Sequence, residues 1–594
     1  MTPSLRRTLL LGFVLLVGIT AGLYLTGRLN LSSLDRLNDT RVANEQTPTP
    51  TGSQTPRSGG LIVATVRAEP RSFNRFIFGD TTAAAIETLI LARLVRINPL
   101  TREVEPWLAE RWDTSDQLRY VLHLRPNVQF SDGAPFTAAD VVFTFKALYD
   151  PKVDSILANA LKFDGKEIAV QAVDDHTVAL TFPSLYGPGL RVLDNLPILP
   201  RHRLEAALNA GTFRDAWGVT TPPPEIVGLG PFKLHAYRPG ERLEFERNEH
   251  YWRVDDHGTR LPYADRFTLD IVPNQSAETL RLESGQADVV SGELQPDEVP
   301  AFRKMAGQKR VQLFELGPGL DADFLWFNLK SGGPSTARPW LARRELRQAI
   351  SYAVDRQQFV NTVFLGAGTP IYGPVTPANK TWFAPDVPHV PHDLDKARAL
   401  LAEIGLTDRN HDGLLEAGDG SPAKFALFTQ KGRPLRERAA AFLKEDLRKI
   451  GFDVEVTALE FPALVDRVMK GNYDAVYFGF AASDTDPAVN LDFWLSSGAF
   501  HVWNPGQDTP ATPWEKQIDT LMHQQMQTTN QNERTRLFAE VQRIFATEIP
   551  VLCFAAPNVI VATSSRLVNA HPALFQPMVL RSADTLGVQP EDAR

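Results

Sequence analysis

The chain has 594 residues, too many for one hydrophobic core, so several packed units are expected at a prior of about 150 residues each. Charged residues make up 22% and hydrophobic ones 43%, an ordinary globular balance, and a net charge of -8 argues against the basic footprint of a nucleic-acid binder. The single cysteine, Cys553, excludes an internal disulfide and a cysteine-rich metal site; within IPVLCFAAP it reads as a buried, inert thiol.

Arg6 and Arg7 precede an uncharged apolar run, Leu9 to Leu25, which as a helix would span about 26 Å, near the hydrocarbon thickness of a bilayer. Residues 1–29 therefore read as a signal anchor or a signal peptide. No clear A-x-A cleavage site follows, and no cysteine offers lipid attachment, so the anchor is the favoured reading. Either way the body is expected outside the cytoplasm, in the periplasm or at the cell surface, tethered to the cytoplasmic membrane through residues 9–25. Residues 30–59, ending TPTPTGSQTPRSGG, have nothing to bury and read as a flexible linker.

The folded part begins with the strand LIVATV and, past Glu69-Pro70, the loop RSFNRFIFGDTT. Further on, Tyr120, Leu122 and Leu124 alternate as a half-buried strand, and Ser131-Asp132-Gly133 supplies a turn. Thr137, with Asp140 three residues on, caps a helix whose apolar face is Val141, Val142, Phe145 and Leu148. EIAVQAVDDHTVALTF is a hairpin pattern about Asp174-Asp175, and two more strands flank Pro239-Gly240. FLWFNLK reads as a strand entered through Gly317-Pro318-Gly319, which is suitable hinge material. Long helices run from Trp514 to Glu548 and stop at Pro550.

Nothing in the chain reads as catalytic machinery. There is no nucleophile–base–orienter set and no metalloprotease helix, and the glycines at 228 and 230 precede a strand rather than the helix a phosphate loop needs. No enzyme is expected, nor any cofactor beyond a structural calcium. That ion would suit TDRNHDGLLEAGDG, where Asp408, Asn410, Asp412, the Leu414 carbonyl, Glu416 and Asp419 follow the oxygen spacing of a calcium loop, with Gly413 at the turn. An Asx-rich turn without metal fits the same residues.

Several motifs occur together in a recognisable order. Trp112, Leu124-Arg125, Phe130, Asp132-Gly133 and Ala139 through Val142 form the first; Gly228, Gly230 through Phe232, Arg247-Asn248 and Tyr251-Trp252 the second. Glu283, Gly285, Ala287-Asp288, then Arg347, Ala349-Ile350 and Asp355-Arg356 follow. In these the chain resembles, over roughly residues 59 to 594, the family 5 extracellular solute-binding proteins, which feed dipeptides, oligopeptides, nickel and related solutes to ABC importers.

The resemblance implies an α/β, two-lobed periplasmic-binding-protein type II fold with an additional small domain and a discontinuous first lobe. The expected division is lobe I over 60–106, an accessory subdomain over 107–227, lobe I again over 228–317, lobe II over 318–549 and a lobe I return over 550–594. The implied partners are a peptide or other small solute and an ABC permease pair, with the protein itself a monomer. By the same resemblance the loop RSFNRFIFGDTT corresponds to the first loop facing the ligand cleft, and in peptide-binding relatives an aspartate after a Gly-Trp pair holds the ligand's α-ammonium. Here Phe480 stands at the tryptophan and Ser483 at the aspartate, with Asp484 one residue late. Ligand contacts are expected from Phe480, Ala482, Ser483, Asp484 and Asp486, and from Trp326 and Trp503. Arg347 and Asp355 are expected to pair or cap rather than touch ligand. A non-peptide solute on the same fold (a nickel chelate or a sugar) and a tethered peptide sensor or chaperone without transport are the alternatives.

Overall fold

The structure, a computed structural model, describes residues 58–163, 165–330, 338–479 and 485–589. The apolar run at 9–25 lies outside them, and among the described residues no helix is long and apolar enough to cross a membrane.

The first sheet starts with β1 (Leu61–Val66), followed by helix α1 (Thr81–Ile90). Strands β2 (Ala109–Asp113) and β3 (Arg119–Leu124), helix α2 (Ala138–Tyr149) and the hairpin β4 (Ala169–Asp174)–β5 (Thr177–Thr181) form a side unit with sheet order β2-β3-β5-β4. As the spacing predicts, the Asp140 carboxylate accepts from the Thr137 backbone N–H at 2.9 Å and closes the cap of α2. It also accepts from Arg201 N at 2.9 Å, tying the next helix to this one. The chain then rejoins the first sheet through β6 (Phe232–Arg238), β7 (Arg242–Arg247) and β8 (Arg266–Ile271), in the order β1-β8-β7-β6 with β1 and β8 parallel. One continuous hydrophobic core joins the side unit to this sheet: Leu122, Val141 and Leu148 pack into the same cluster as Ile62, Phe245 and Leu269.

After helix α3 (Gln275–Glu283), the strand β9 (Val311–Pro318) leads across to β10 (Phe324–Phe327), all four of whose residues are buried. Helix α4 (Arg344–Ala353) turns Leu346, Ala349, Ile350 and Ala353 inward, an i, i+3, i+4, i+7 stripe. Strand β11 (Lys424–Gln430), helix α5 (Pro434–Arg448), β12 (Asp453–Leu459) and β13 (Ala475–Phe478) follow. Helices α6 (Pro513–Gln527) and α7 (Gln531–Glu548) then lead to β14 (Val551–Cys553) and β15 (Ala555–Ser564). The second sheet runs β12-β11-β13-β10-β14. Its central strands are apolar throughout because helices cover both faces.

The chain passes between the sheets twice, at β9 to β10 and at β14 to β15. The two crossings lie side by side: β9 pairs antiparallel with β15 from Val311↔Ser564 to Pro318↔Asn558, and Gly319 N donates to Pro557 O at 2.8 Å. Gly317, at φ 81°, sits at a register irregularity in this ladder, a left-handed conformation that glycine adopts without strain. The return crossing comes later than the expected boundary at 550. Val551–Cys553 still pair with Phe324–Trp326 of the second sheet, because this stretch is apolar enough to fill a buried edge there, and the switch falls at Phe554.

Candidate functional site

Between the two sheets and the side unit lies a cleft of about 2050 Å³. The hinge strands form one end of it, through Gly319, Pro557, Asn558 and Val559. The loop RSFNRFIFGDTT contributes Arg71, Arg75, Phe78 and Gly79, and the side unit adds Tyr149, Phe163 and Tyr186. The second lobe answers with Leu491, Phe493 and Phe500. Phe163 and Tyr186 lie 4.4 Å apart between ring centroids. The Tyr149 hydroxyl donates to Leu161 O at 2.8 Å, and burial pushes its pKa up to about 12, so this phenol stays neutral at physiological pH.

Charge in the lining is mostly matched within the protein. Glu87 takes both Arg75, at 2.6 Å, and Arg93. Burial alone would lower the Arg93 pKa, but Glu87 and Asp194 raise it above the ordinary value. Arg436 grips Asp323 through two bonds of 2.7 and 2.9 Å, and Lys330 donates to Pro505 O at 3.0 Å. Glu293 and Asp492 differ: desolvation in the cleft raises both carboxyls, although Asp492 remains exposed, and neither forms an ion pair among the described residues.

The seven residues expected to touch ligand divide into two groups. Phe480, Ala482, Ser483 and Asp484 lie outside the described residues. The other three sit behind the cleft wall. Asp486 is 3% exposed, its carboxylate bound by Arg534 at 2.6 and 2.8 Å and accepting from Ala488 N at 3.0 Å. Trp326 is fully buried; its indole N–H donates to Phe478 O at 2.7 Å, and its ring stacks on Trp503 with centroids 6.0 Å apart. Trp503 donates to Glu515 at 3.3 Å. An alternating strand places Trp326 on one face of a sheet whose two faces are both covered, so alternation alone carried no information about the cleft. Glu293, Asp492 and the Arg75–Glu87–Arg93 cluster were not foreseen as site residues. Only the placement of the RSFNRFIFGDTT loop hinted at one of them.

Residues singled out by the motifs do local structural work. Asp132 holds His202 at 2.9 Å and Arg203 at 2.7 Å. Arg347 donates to the carbonyls of Ile549 at 2.6 Å and Glu548 at 3.1 Å, at the C-terminal end of α7, where a cation is favoured. Asp355 caps the helix Arg356–Val363, accepting from Gln357 N at 2.9 Å and Gln358 N at 3.0 Å.

In the loop at 408–419, carboxylate oxygens of Asp408, Asp412 and Glu416 lie within 4.8 Å of one another. Asp408 Oδ1 has no hydrogen-bond partner. Most of the other oxygens serve the loop itself. Asp408 Oδ2 accepts from Gly413 N at 3.0 Å, Asp412 from Leu414 N at 2.8 Å and Asn410 Nδ2 at 3.1 Å, and Glu416 from Arg409 N at 2.9 Å. Asn410 Oδ1 accepts from Asp412 N, and Asp419 turns away to Ser421. These bonds form an Asx-turn network in which Asp408 Oδ1 is buried without a partner.

Residues 103–501 match the family described as bacterial extracellular solute-binding proteins, family 5 middle. A probable ABC transporter-binding protein of Deinococcus radiodurans is 25% identical over 532 residues, covering 86% of this chain and 89% of that protein. Haem-binding protein A of Haemophilus influenzae is 28% identical over 541 residues, 88% of this chain and 90% of its own length. The oligopeptide-binding protein AppA of Bacillus subtilis is 26% identical over 514 residues, 85% of this chain and 87% of AppA. AppA's structure in complex with a nonapeptide superimposes with a TM-score of 0.67 at 24% identity, covering 90% of this chain and all of that one.

Proposed function

Since the chain belongs to the family 5 bacterial extracellular solute-binding proteins, we propose that it captures peptides, di- or oligopeptides, between its two lobes and delivers them to the permease pair of an ABC importer. The observation that carries the peptide reading is the size of the cleft. Pockets for small molecules run to about 300–1,000 Å³, and this one is about 2050 Å³. A cleft that large, walled by aromatic and aliphatic side chains with charged groups at intervals, suits an extended chain whose side chains are loosely specified. The paired crossings β9 and β15 provide a hinge about which the lobes close on it.

The protein binds its ligand and transforms nothing: among the described residues the lining holds charge pairs and apolar surface, with no nucleophile beside a base. It works outside the cytoplasm, tethered by the apolar run at 9–25, as a monomer. No resident cofactor is part of this reading, and the loop at 408–419 serves as a self-closed turn. Histidine is absent from the described lining, so an imidazole-held nickel or haem is the less favoured cargo.

Native mass spectrometry of the full chain, purified gently from its own cells, tests the reading. A ladder of peptide masses released on mild unfolding is the expected result. A single non-peptide mass in its place would end the peptide assignment and leave the solute-binding role intact.

A further inference from the structure

Among the described carboxylates of the cleft lining, Glu293 is the one with an oxygen both closed to solvent and without a hydrogen bond. It follows the Ala287-Asp288 segment and lines the cleft beside the hinge strands, next to Leu294 and Gln295. Its backbone is pinned: Gln275 Nε2 donates to Glu293 O at 2.9 Å, and Leu294 N to Ile560 O at 2.7 Å. Its Oε2 is closed to solvent and accepts no hydrogen bond. Arg67, the cation that acts on it, is itself held by Glu278 at 2.6 Å. Burial pushes the Glu293 carboxyl up by more than its own backbone N–H and the charge of Arg67 lower it. Elsewhere in the lining Arg75, Arg93 and Arg436 each have an acid of the protein against them, and no cation is ion-paired to Glu293 among the described residues.

A carboxylate oxygen closed to solvent and without a hydrogen bond is costly, and the pinned backbone holds this one at the ligand cleft. We infer that Glu293 is the seat of a cationic nitrogen of the ligand, a primary ammonium or a guanidinium, and that the cleft selects solutes carrying one. The bond would be charge-assisted, supplying both affinity and the orientation of the ligand against the hinge. This deepens the reading of the cleft as a ligand site and rests on it. It does not require that the ligand be a peptide. An amino terminus, a lysine or arginine side chain and a free polyamine share the chemistry.

Isothermal calorimetry and thermal melting of the full chain separate these cases, with four probes: pentaalanine, N-acetyl-pentaalanine amide, N-acetyl-Ala-Ala-Lys-Ala-Ala amide and spermidine. At least one cationic probe is expected to bind tighter than the neutral peptide by about tenfold or more. Glu293→Gln should erase that preference while leaving the neutral peptide's affinity unchanged, and Glu293→Asp should retain part of it. Ligand-free Glu293→Gln should also melt higher than the wild type, because the amide removes a buried charge; a merely structural carboxylate would give the opposite shift. Peptide binding with an amine preference that survives Glu293→Gln, or that disappears only in Asp492→Asn, overturns the inference and leaves the peptide reading standing. Spermidine binding that depends on Glu293, with no peptide bound, ends the peptide reading and upholds the inference. No binding by any probe, with Glu293→Gln melting at or below the wild type, overturns both.

Discussion

Asp486 shows how a functional-looking residue becomes a structural one. It precedes Pro487 in the segment most similar to the ligand-binding stretch of peptide carriers, yet it is spent on Arg534, which also donates to the carbonyl and side-chain oxygens of Gln525 at 3.0 and 2.9 Å. Both charges are buried, so removing one strands the other. Asp486→Ala should lose about 3–5 kcal/mol of unfolding free energy, read from urea denaturation. Glu515 is the other buried acid of this region. Burial alone would raise its carboxyl, but His501 at 3.0 Å, Thr512 and Trp503 hold it below the usual carboxylate range. With the folded value depressed, the unfolded chain binds the proton first as pH falls. The stabilisation is complete above the ordinary glutamate pKa of about 4.3 and is lost as pH falls through the folded value. Glu515→Gln should therefore lower the melting temperature at pH 7 and flatten its decline between about pH 5 and pH 3. The sequence displayed these residues, but a carboxylate's partner is set by long-range folding: Asp486 and Arg534 are 48 positions apart.

At the scale of elements, the motifs mark places where main chains nearly touch. A Cβ on Gly228 would fall 1.8 Å from Ile90 O, and one on Gly230 2.4 Å from Leu89 O. The two glycines let the entry to β6 pass beneath the end of α1, and Gly230 N donates to Ile90 O at 3.0 Å. Gly228→Ala pushes against backbone that cannot swing aside. It should destabilise by about 1–3 kcal/mol or more, seen as a lower denaturation midpoint at unchanged m-value. Caps, hairpins and helix stripes were legible here because their determinants lie within a few residues: Thr137 with Asp140, the hairpin read about Asp174-Asp175, whose turn falls one residue later at Asp175-His176, and the apolar positions of α4. The site was legible only in part. The loop that carries Arg71 and Arg75 was placed at the cleft, whereas Trp326 and Trp503 read as ligand-facing aromatics and are core. An apolar side chain on a strand looks the same in sequence whether its sheet face meets a cleft or a helix.

In the whole molecule the lobes meet again away from the hinge. Arg191 Nη2 donates to Thr485 Oγ1 at 3.0 Å and its Nη1 to Arg102 O at 2.6 Å, while Arg102 donates to Ala378 O. Asn379 Nδ2 completes the patch on Thr485 O at 2.9 Å. The Arg191–Thr485 and Arg102–Ala378 bonds join the first lobe's side to the second lobe and exist only while the lobes are together, so they favour the closed state; the other two brace the patch within each lobe. Arg191→Met should keep the fold but shift the balance toward opening. The expected outcome is ligand release faster by about five- to tenfold in stopped-flow displacement, with a larger radius of gyration in solution scattering of the ligand-free protein.

What the sequence determined by itself was the family, through the order of its motifs, together with the local elements those motifs build: strand, turn, cap and close-packed glycine. Each depends on neighbours a few positions away. What only the tertiary structure decided was the cleft: which charges are already matched, which carboxylate stands without a partner, and where the second crossing switches sheets. Those depend on which of many apolar faces meet, and on residues hundreds of positions apart, such as Asp288 and Arg566, being brought within 2.6 Å.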